Sequence, residues 1–481
     1  MSAKAVRTGG SGAVTAVITL SCVVISLMQT LIVPIIPKLP QLLSTGPSNA
    51  SWAVTATLLA AAVVTPIAGR LGDMFGKRRV IIASLVLVVV GSVLCAVSDD
   101  LLPVITGRAL QGLATGVIPV GISFLRDVLP AERVGGAIAL VSAALGVGGA
   151  VGLPASAAIV QFADWHVLFW LAAALGGICL ALVVVLLRES PNQSPGRFDL
   201  LGALGLAAGL VCLLLPATKG AGWGWTSGTT VGLFAAGVVV LLLWGVYELR
   251  VTEPLVDLRV TARRPVLFTN LASLLVGFAM YGTSLVLPQL LQSPSATGYG
   301  LGQSTLAAGL ALAPSGLIMM AFAPLSARLT AQYGARVTLL TGLSVIGIGY
   351  GAGLMLMAEV WQIIVMSLIV SAGVGIAYAA SPALIMGSVP VTETASANGI
   401  NSLMRSVGTS SSSAVMAAML ASMSTQLGPV SVPTENGFRM TYVVAMLAAA
   451  LGIVVTLLIP RVRRPAGEPG TAPVPATGAA R

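Results

Sequence analysis

Fourteen stretches of about 20 apolar residues, separated by short polar breaks, leave this chain few folds to choose from. Their limits fall near 13–36, 51–69, 80–98, 102–125, 135–160, 167–187, 199–217, 227–247, 265–291, 305–327, 337–357, 360–385, 397–424 and 439–460. A helix rises about 1.5 Å per residue, so each stretch is long enough to cross the roughly 30 Å hydrocarbon core of a bilayer. Lipid offers the backbone no hydrogen bonds, and a spanning segment that must satisfy its own becomes a helix. Composition excludes a water-soluble alternative. Of the 481 residues 56% are hydrophobic and 8% charged, whereas a soluble surface carries charges on roughly a quarter of its residues. The net charge of +10 is not spread in a basic stripe with interleaved aromatics, so nucleic acid is not an expected partner.

The excess of Lys and Arg is used for orientation. With the N-terminus on the cytoplasmic side, 20 of the 25 basic residues fall in cytoplasmic connections or the termini, as expected for a multi-pass cell-membrane protein with both termini inside. Lys38, Lys219 and Arg439 fall outside, and Arg108 and Arg405 lie within spans. Six tryptophans, among them Trp52, Trp165 and Trp361, lie near expected outer ends, where an amphipathic ring suits the interface. Lys4 and Arg7 precede a first apolar run too long for a signal-peptide core, which is expected to remain as a span. Cys22, Cys95, Cys179 and Cys212 sit inside apolar runs without metal-ligand spacing and are expected to pack.

An internal duplication divides the chain. Pro66, Arg70, Leu71, Phe75, Gly76 and Arg78 recur 258 positions later as Pro324, Arg328, Leu329, Tyr333, Gly334 and Arg336. The copies follow spans 2 and 10 with the same orientation, eight spans apart, where two simple six-helix halves would place them six apart. Two spans are therefore inserted. The expected organisation is a cytoplasmic N-terminus over 1–12, a six-helix bundle over 13–187, a linker with the two inserted helices over 188–264, a second six-helix bundle over 265–460 and a disordered cytoplasmic tail over 461–481.

The first copy reads Gly69-Arg70-Leu71-Gly72-Asp73-Met74-Phe75-Gly76-Lys77-Arg78-Arg79, a basic loop with one carboxylate and glycines spaced for close backbone approach. An orienting turn accounts for the basic cluster but not for Asp73. Arg108 lies inside span 4 within Arg108-Ala109-Leu110-Gln111-Gly112. Placing an arginine there costs about 2.5 to 3.5 kcal/mol on insertion scales, so it needs a partner, a wet cavity, or a reach to the outer surface. Span 5 carries Gly146, Gly148, Gly149, Gly152 and Pro154, of which Gly148 and Gly152 form a ridge for close helix contact. In span 13, Asn401 and Arg405 share one helix face ahead of Ser410 to Ser413. They line a cavity or act as interhelical glue; Gln29 and Thr30 of span 1 are further cavity candidates. His166, the single histidine, sits at an outer turn and is expected to hydrogen-bond at the interface.

These motifs resemble the major facilitator superfamily, and the fourteen-span layout resembles its drug:proton antiporter branch, close to actinobacterial antibiotic exporters. The resemblance implies an all-α polytopic fold of two six-helix bundles plus two inserted central helices, working by alternating access around a cavity near the midplane. It implies that Asp73, Arg70 and Arg78 form a charge relay that latches one access state, with Gly69, Gly76 and Lys77 in the same gating loop. It also implies that Arg108, with Gln111 and Gly112, acts in proton coupling, and that the span 5 glycines and Pro154 shape an antiporter hinge. Here the pattern departs, because Leu153 separates Gly152 from Pro154.

Absent residues narrow the function further. All 15 Asp and Glu fall in loops or at span ends, and Met28 stands where the resembling branch has an aspartate. A permanent cation in a low-dielectric cavity calls for an embedded carboxylate, so neutral, amphipathic or anionic substrates are expected. No phosphate-binding Gly-x4-Gly-Lys-Ser/Thr run occurs, and no metal, nucleophile or acid/base constellation is evident. The expectation is a non-enzymatic exporter without cofactor or ATP, driven by the proton gradient, with lipid, protons and a small molecule as partners. An uncoupled facilitator or importer of the same fold, and a proton-translocating subunit of a membrane complex, are the alternatives. The last of these would carry lysines and glutamates in mid-membrane.

Overall fold

The computed structural model describes residues 10–32, 35, 39–194, 196–427 and 430–460. Lys4, Arg7, Lys38 and the segment after Pro460 lie outside the described residues. Fourteen long helices account for the apolar stretches. They are α1 (Ser11–Leu31), α2 (Trp52–Phe75), α3 (Lys77–Ala96), α4 (Leu101–Val128), α5 (Ala131–Phe162), α6 (His166–Leu186), α7 (Leu200–Trp223), α8 (Gly228–Glu248), α9 (Arg264–Gln292), α10 (Thr305–Tyr333), α11 (Ala335–Gly353), α12 (Val360–Met386), α13 (Thr394–Ser422) and α14 (Glu435–Leu457). A 3-10 turn at Ala114–Gly116 interrupts α4, and α10 is broken at Phe322. A two-stranded antiparallel hairpin, β1 (Ser424–Leu427) with β2 (Val430–Pro433), joins α13 to α14.

Thirteen of these helices are long and apolar enough to span a membrane. The exception is α13, whose serines, Asn398, Asn401 and Arg405 lower its hydropathy. It is surrounded by protein, packing against α2, α4, α7, α9 and α12, and buries Asn398, Asn401 and Arg405. A polar helix is stable at that depth because neighbouring helices, rather than lipid, meet its side chains.

Two bundles of six helices form the body of the molecule. One apolar core runs through α1 to α6 and a second through α9 to α14. Close contacts repeat between the halves. In the first, α5 lies on α1, with Gly148 against Ser26 and Gly152 against Thr30. In the second, α13 lies on α9 through Gly408 against Leu274 and Gly277 against the Arg405 carbonyl. The halves meet along two lines that repeat in the same way, α2 with α13 and α5 with α10. Gly69 of α2 abuts the Ala395 carbonyl, Gly399 of α13 abuts that of Thr65, and Gly146 of α5 receives Met319 of α10.

The repeated motif is helical, not a loop. Helix α2 continues to Phe75 and α3 begins at Lys77, so the whole connection is Gly76, at φ +106°. Its counterpart Gly334 links α10 to α11 at φ +86°. Positive φ is accessible to glycine at little cost, which explains why both copies keep it. The arginine two residues on does the same work twice. Arg78 Nη2 donates to the Val184 carbonyl near the end of α6, at 2.8 Å, and Arg336 Nη2 donates to Leu457 at the end of α14, at 2.6 Å. Each guanidinium fills an otherwise unsatisfied helix C-terminus.

The inserted pair is asymmetric. Helix α7 packs on α2 and α13, sharing a small apolar core with Leu59, Ile400 and Leu403, while α8 packs on α7. Val231, Val238, Val239, Leu242, Leu243 and Val246 of α8 point outward as a lipid-facing surface.

Because a Cβ at Gly399 would enter the backbone of Thr65 and Pro66 at 3.0 Å or less, Gly399→Val is expected to separate α2 from α13. The check is disulfide formation between cysteines placed at Phe75 and Val391 in a background lacking the native cysteines. Cross-linking should fall several-fold in the variant while membrane insertion is unchanged.

Candidate functional site

Polar chemistry gathers at three places. The first is at the α2–α3 end, where Asp73 is fully buried. Its Oδ2 accepts from the backbone N–H of Ser396 at 2.8 Å and its Oδ1 from that of Ala395 at 3.2 Å. Both donors belong to the first turn of α13, whose N–H groups have no partner within the helix. A carboxylate there also meets the positive end of the helix dipole. The first half thus holds the second through one side chain. Beside it, Ser123 of α4 hydrogen-bonds Thr394.

Lys77, also fully buried, stands between two carboxylates, 3.6 Å from Asp73 Oδ1 and 2.5 Å from Asp127 Oδ2. The segment after α6 closes over this group. Ser190 Oγ and Asn192 Nδ2 donate to Asp127, and the Ser194 N–H donates to the Asp73 carbonyl at 2.7 Å. Burying two acids with one lysine is tolerable because hydroxyl, amide and helix-terminus donors supply the remaining positive potential.

The relay implied by the family resemblance is therefore rearranged. Neither Arg70 nor Arg78 pairs with Asp73 among the described residues. Arg78 clamps α6, and its N–H donates to Glu189. Arg70 borders a cavity of about 230 Å³ shared with Glu253, Asp257, Glu393 and Asn270. Gly69 and Gly76 serve close approach and the tight link, as above.

The second place is Arg108, 2% exposed. It does not snorkel. Nε donates to the Ala53 carbonyl at 3.2 Å, and Nη1 donates to the Met28 carbonyl at 3.1 Å and to Gln111 Oε1 at 2.7 Å. Gln111 passes the chain on to Ser92 at 2.8 Å, and Thr57 donates to the Arg108 carbonyl at 3.0 Å. Helices α1, α2, α3 and α4 are thus joined inside the first bundle. Gly112 lets α4 approach Thr57 of α2.

Arg405, 5% exposed, forms the third. Its guanidinium lies 4.5 Å from the Tyr378 ring centroid and donates to Asn401 and, at 2.8 Å, to Ser402. Asn401 Nδ2 reaches Asn270 at 3.0 Å and Ser273 at 2.8 Å. Arg405 is 11 residues from the start of α13, roughly 16 Å along the helix and near mid-membrane. A face-on aromatic ring and neutral amides stabilise the cation without a carboxylate.

The other expected site residues separate from these. Thr30 Oγ1 donates to Leu27 and Gly148, so it binds α5, and Gln29 is exposed. Gly148 and Gly152 face α1, Gly146 faces α10, Gly149 has open space, and Pro154 lies within α5. His166 bridges two turns, 2.5 Å from Asp164 and 3.3 Å from Asp99. Its N–H and ring hold the Asp164 carboxyl below the ordinary carboxylate range. Sequence reasoning passed over Asn270, Ser273, Tyr378, Ser92 and Thr394; an asparagine inside an apolar run was the one available signal.

Two helical halves, a polar latch between them and arginines held inside the membrane-spanning body define a secondary-transporter scaffold. The sequence profile of the Major Facilitator Superfamily matches residues 18–329 and 269–480, and the chain belongs to that family. It is 24% identical over 367 residues to multidrug resistance protein 3 of Bacillus subtilis, covering 74% of this chain and 70% of that one. It is 25% identical over 409 residues to the tetracenomycin C resistance and export protein of Streptomyces glaucescens, covering 84% and 75%. An uncharacterized MFS-type transporter of Mycobacterium tuberculosis, Rv1877, is 30% identical over 60% of this chain and 42% of its own length. Among solved structures, the human organic anion transporter MFSD10 superposes with a TM-score of 0.67 at 14% identity, over 93% of this chain and 99% of that one. The proton:xylose symporter XylE gives 0.65 at 14%, over 94% and 96%.

Replacing Asp73 by Asn keeps the shape but removes the charge at the α13 terminus. A carboxylate at a helix N-terminus is worth up to about 2 kcal/mol, roughly 30-fold in the equilibrium between joined and separated α2 and α13 ends. Spin labels at Phe75 and Val391 should show a longer-distance population in Asp73→Asn that wild type lacks.

Proposed function

We propose that this protein is a proton-driven exporter of neutral, amphipathic or anionic small molecules, of the multidrug or antibiotic-efflux kind. The end carrying the α2–α3 link faces the cytoplasm of a cell membrane, and both termini lie on that side. The observation that carries the substrate class is the placement of charge. Arg108 and Arg405 are embedded in the two bundles, whereas each described Asp and Glu stands at a helix end or in a link. A permanent cation entering between the bundles would meet positive potential with no carboxylate to offset it.

The export direction rests on the names of the relatives, several of which are resistance or export proteins. The latch supports an alternating-access cycle. Hydrogen bonds between the halves gather at the α2–α3 end, through Asp73 with α13 and Ser123 with Thr394. With that end taken as the cytoplasmic one, these contacts support a form closed toward the cytoplasm. Opening there must break the two N–H contacts to Asp73, and a proton on Asp73 would weaken the same contacts, which gives a route for proton uptake to bias the equilibrium. No nucleotide or cofactor enters this cycle. Arg108, joined to four helices, serves as a positioning residue for the first bundle.

The test is accumulation of a panel of neutral, anionic and permanently cationic antibiotics in efflux-deficient cells, with and without a protonophore. Lower accumulation of the uncharged and anionic compounds, restored by the protonophore, is expected. Extrusion mainly of permanent cations would overturn the substrate class, and protonophore-insensitive movement would point to an uncoupled facilitator. In the same assay Asp73→Asn should lose most of its efflux at equal membrane expression.

A further inference from the structure

The inserted hairpin contains an acid pair that the transport reading does not use. Asp199 caps the N-terminus of α7, and Glu248 is the last residue of α8, 2% exposed. Asp199 Oδ1 is well supplied, accepting from the Gly202 N–H at 2.8 Å and from the Tyr247 hydroxyl at 2.9 Å. The other three oxygens, Asp199 Oδ2 and both of Glu248, are buried without a hydrogen-bond partner. The backbone N–H groups of Leu255 and Val256 and the Trp244 indole approach Glu248 closely enough to favour its anion, but none closes a well-aligned hydrogen bond, and the Trp244 N–H donates to the Gly202 carbonyl at 2.8 Å. Neither carboxylate forms an ion pair among the described residues.

Gly202 shows how near the two acids lie. A Cβ built there would strike Asp199 Oδ2 and, at 2.6 Å, Glu248 Oε1, which places the two oxygens within about 5 Å of each other, inside the range where like charges exclude joint ionisation. The glycine leaves the space in which they face each other. Arg250 of the link is exposed, Arg259 donates to the Leu249 carbonyl, and Lys219 lies near the opposite end of α7, so no cation reaches ion-pair distance of either acid among the described residues, and two buried anions at that separation cannot both persist.

We infer that Asp199 and Glu248 form a proton-binding site in the inserted hairpin, sharing one proton at neutral pH. The proton resides on Glu248, whose nearby donors are the poorly aligned ones, and points to Oδ2 of Asp199, whose anionic charge is stabilised by the well-formed bonds from Gly202 and Tyr247. The sharing leaves one negative charge on the pair and satisfies two of the three orphaned oxygens. The site stands independently of proton-driven export, since it requires only that the folded protein hold this proton. It also bears on the gate by position. Leu255 and Val256, which cover Glu248, pack in the same small core as Ile400 and Leu403 of α13. Loss of the proton would put repulsion directly beneath that link.

The experiment uses the full chain in lipid nanodiscs, with infrared difference spectra across an alkaline pH step and thermal unfolding at each pH. Wild type should show a protonated-carboxyl C=O band at neutral pH that disappears on alkalinisation, together with a fall in Tm over the same interval. Glu248→Gln keeps a donor toward Asp199, so it should fold with a neutral-pH Tm within a few degrees of wild type, lack the band and lose the alkaline fall. Asp199→Asn gives Glu248 an amide donor and allows it to ionise, so it should lose the band as well. Persistence of the band in both variants would assign it to another acid and overturn the proposal. So would absence of the band in wild type combined with a Tm that depends on sodium against choline, which would make the pair a metal-cation site. Efflux is not read in this experiment, so failure of the transport reading and failure of this site remain distinguishable.

Discussion

The contact on which the rest of the structure depends is the buried carboxylate of Asp73 seated on the first turn of α13. Helix termini expose N–H groups that nothing within the helix can satisfy, and lipid cannot satisfy them either. In α13 the missing partner comes from the opposite half of the molecule. That arrangement joins the two halves at this end through Asp73, with the Ser123–Thr394 hydrogen bond beside it, and Asp73 is held in place by Lys77 and by the 189–194 segment that closes over Asp127 and the Asp73 carbonyl. The second copy of the motif has Ala331 and Ala335 where the first has Asp73 and Lys77. Small residues, Ala139, Ala143, Ala323 and Ala379, fill the matching α5–α10 contact instead. The duplication supplied two equivalent seams, and charge was placed in one of them.

Both seams, and the α1–α5 and α9–α13 contacts inside the halves, are built on glycine. In a membrane, apolar burial does not distinguish helix from lipid, so association relies on close packing and on hydroxyl-to-carbonyl hydrogen bonds. Ser26 donating to Leu145 and Thr30 to Gly148 are of this kind. Cavity-facing chemistry and structural glue draw on the same residue types for this reason, and position alone separates them.

That overlap explains what the sequence made legible and what it did not. Helix count, the duplication and the inserted pair were readable because hydropathy and a 258-residue repeat are properties of the chain itself. Even the polar α13 was recognisable as a span, by its length between breaks. The motif around Asp73 was readable as a site, but its partners were not. Asp73 meets residues more than 300 positions away, and what it touches are backbone N–H groups, which every residue but proline carries. The glycine-punctuated stretch also looked like a loop, since glycine in a membrane helix signals close packing as readily as a turn. Arg108 and Arg405 were identifiable by cost alone. Their distinct surroundings, carbonyls and a glutamine for one, a tyrosine face and neutral amides for the other, depend on tertiary placement.

The paired clamps at Arg78 and Arg336 have a mechanical meaning. Each binds the start of the third helix in its half to the end of the sixth, so the helices on either side of the glycine link cannot splay independently. A bundle braced in this way transmits displacement as a stiff lever instead of absorbing it by internal shear. Displacement at either end of a half is therefore carried by the whole bundle and is not taken up between its third and sixth helices.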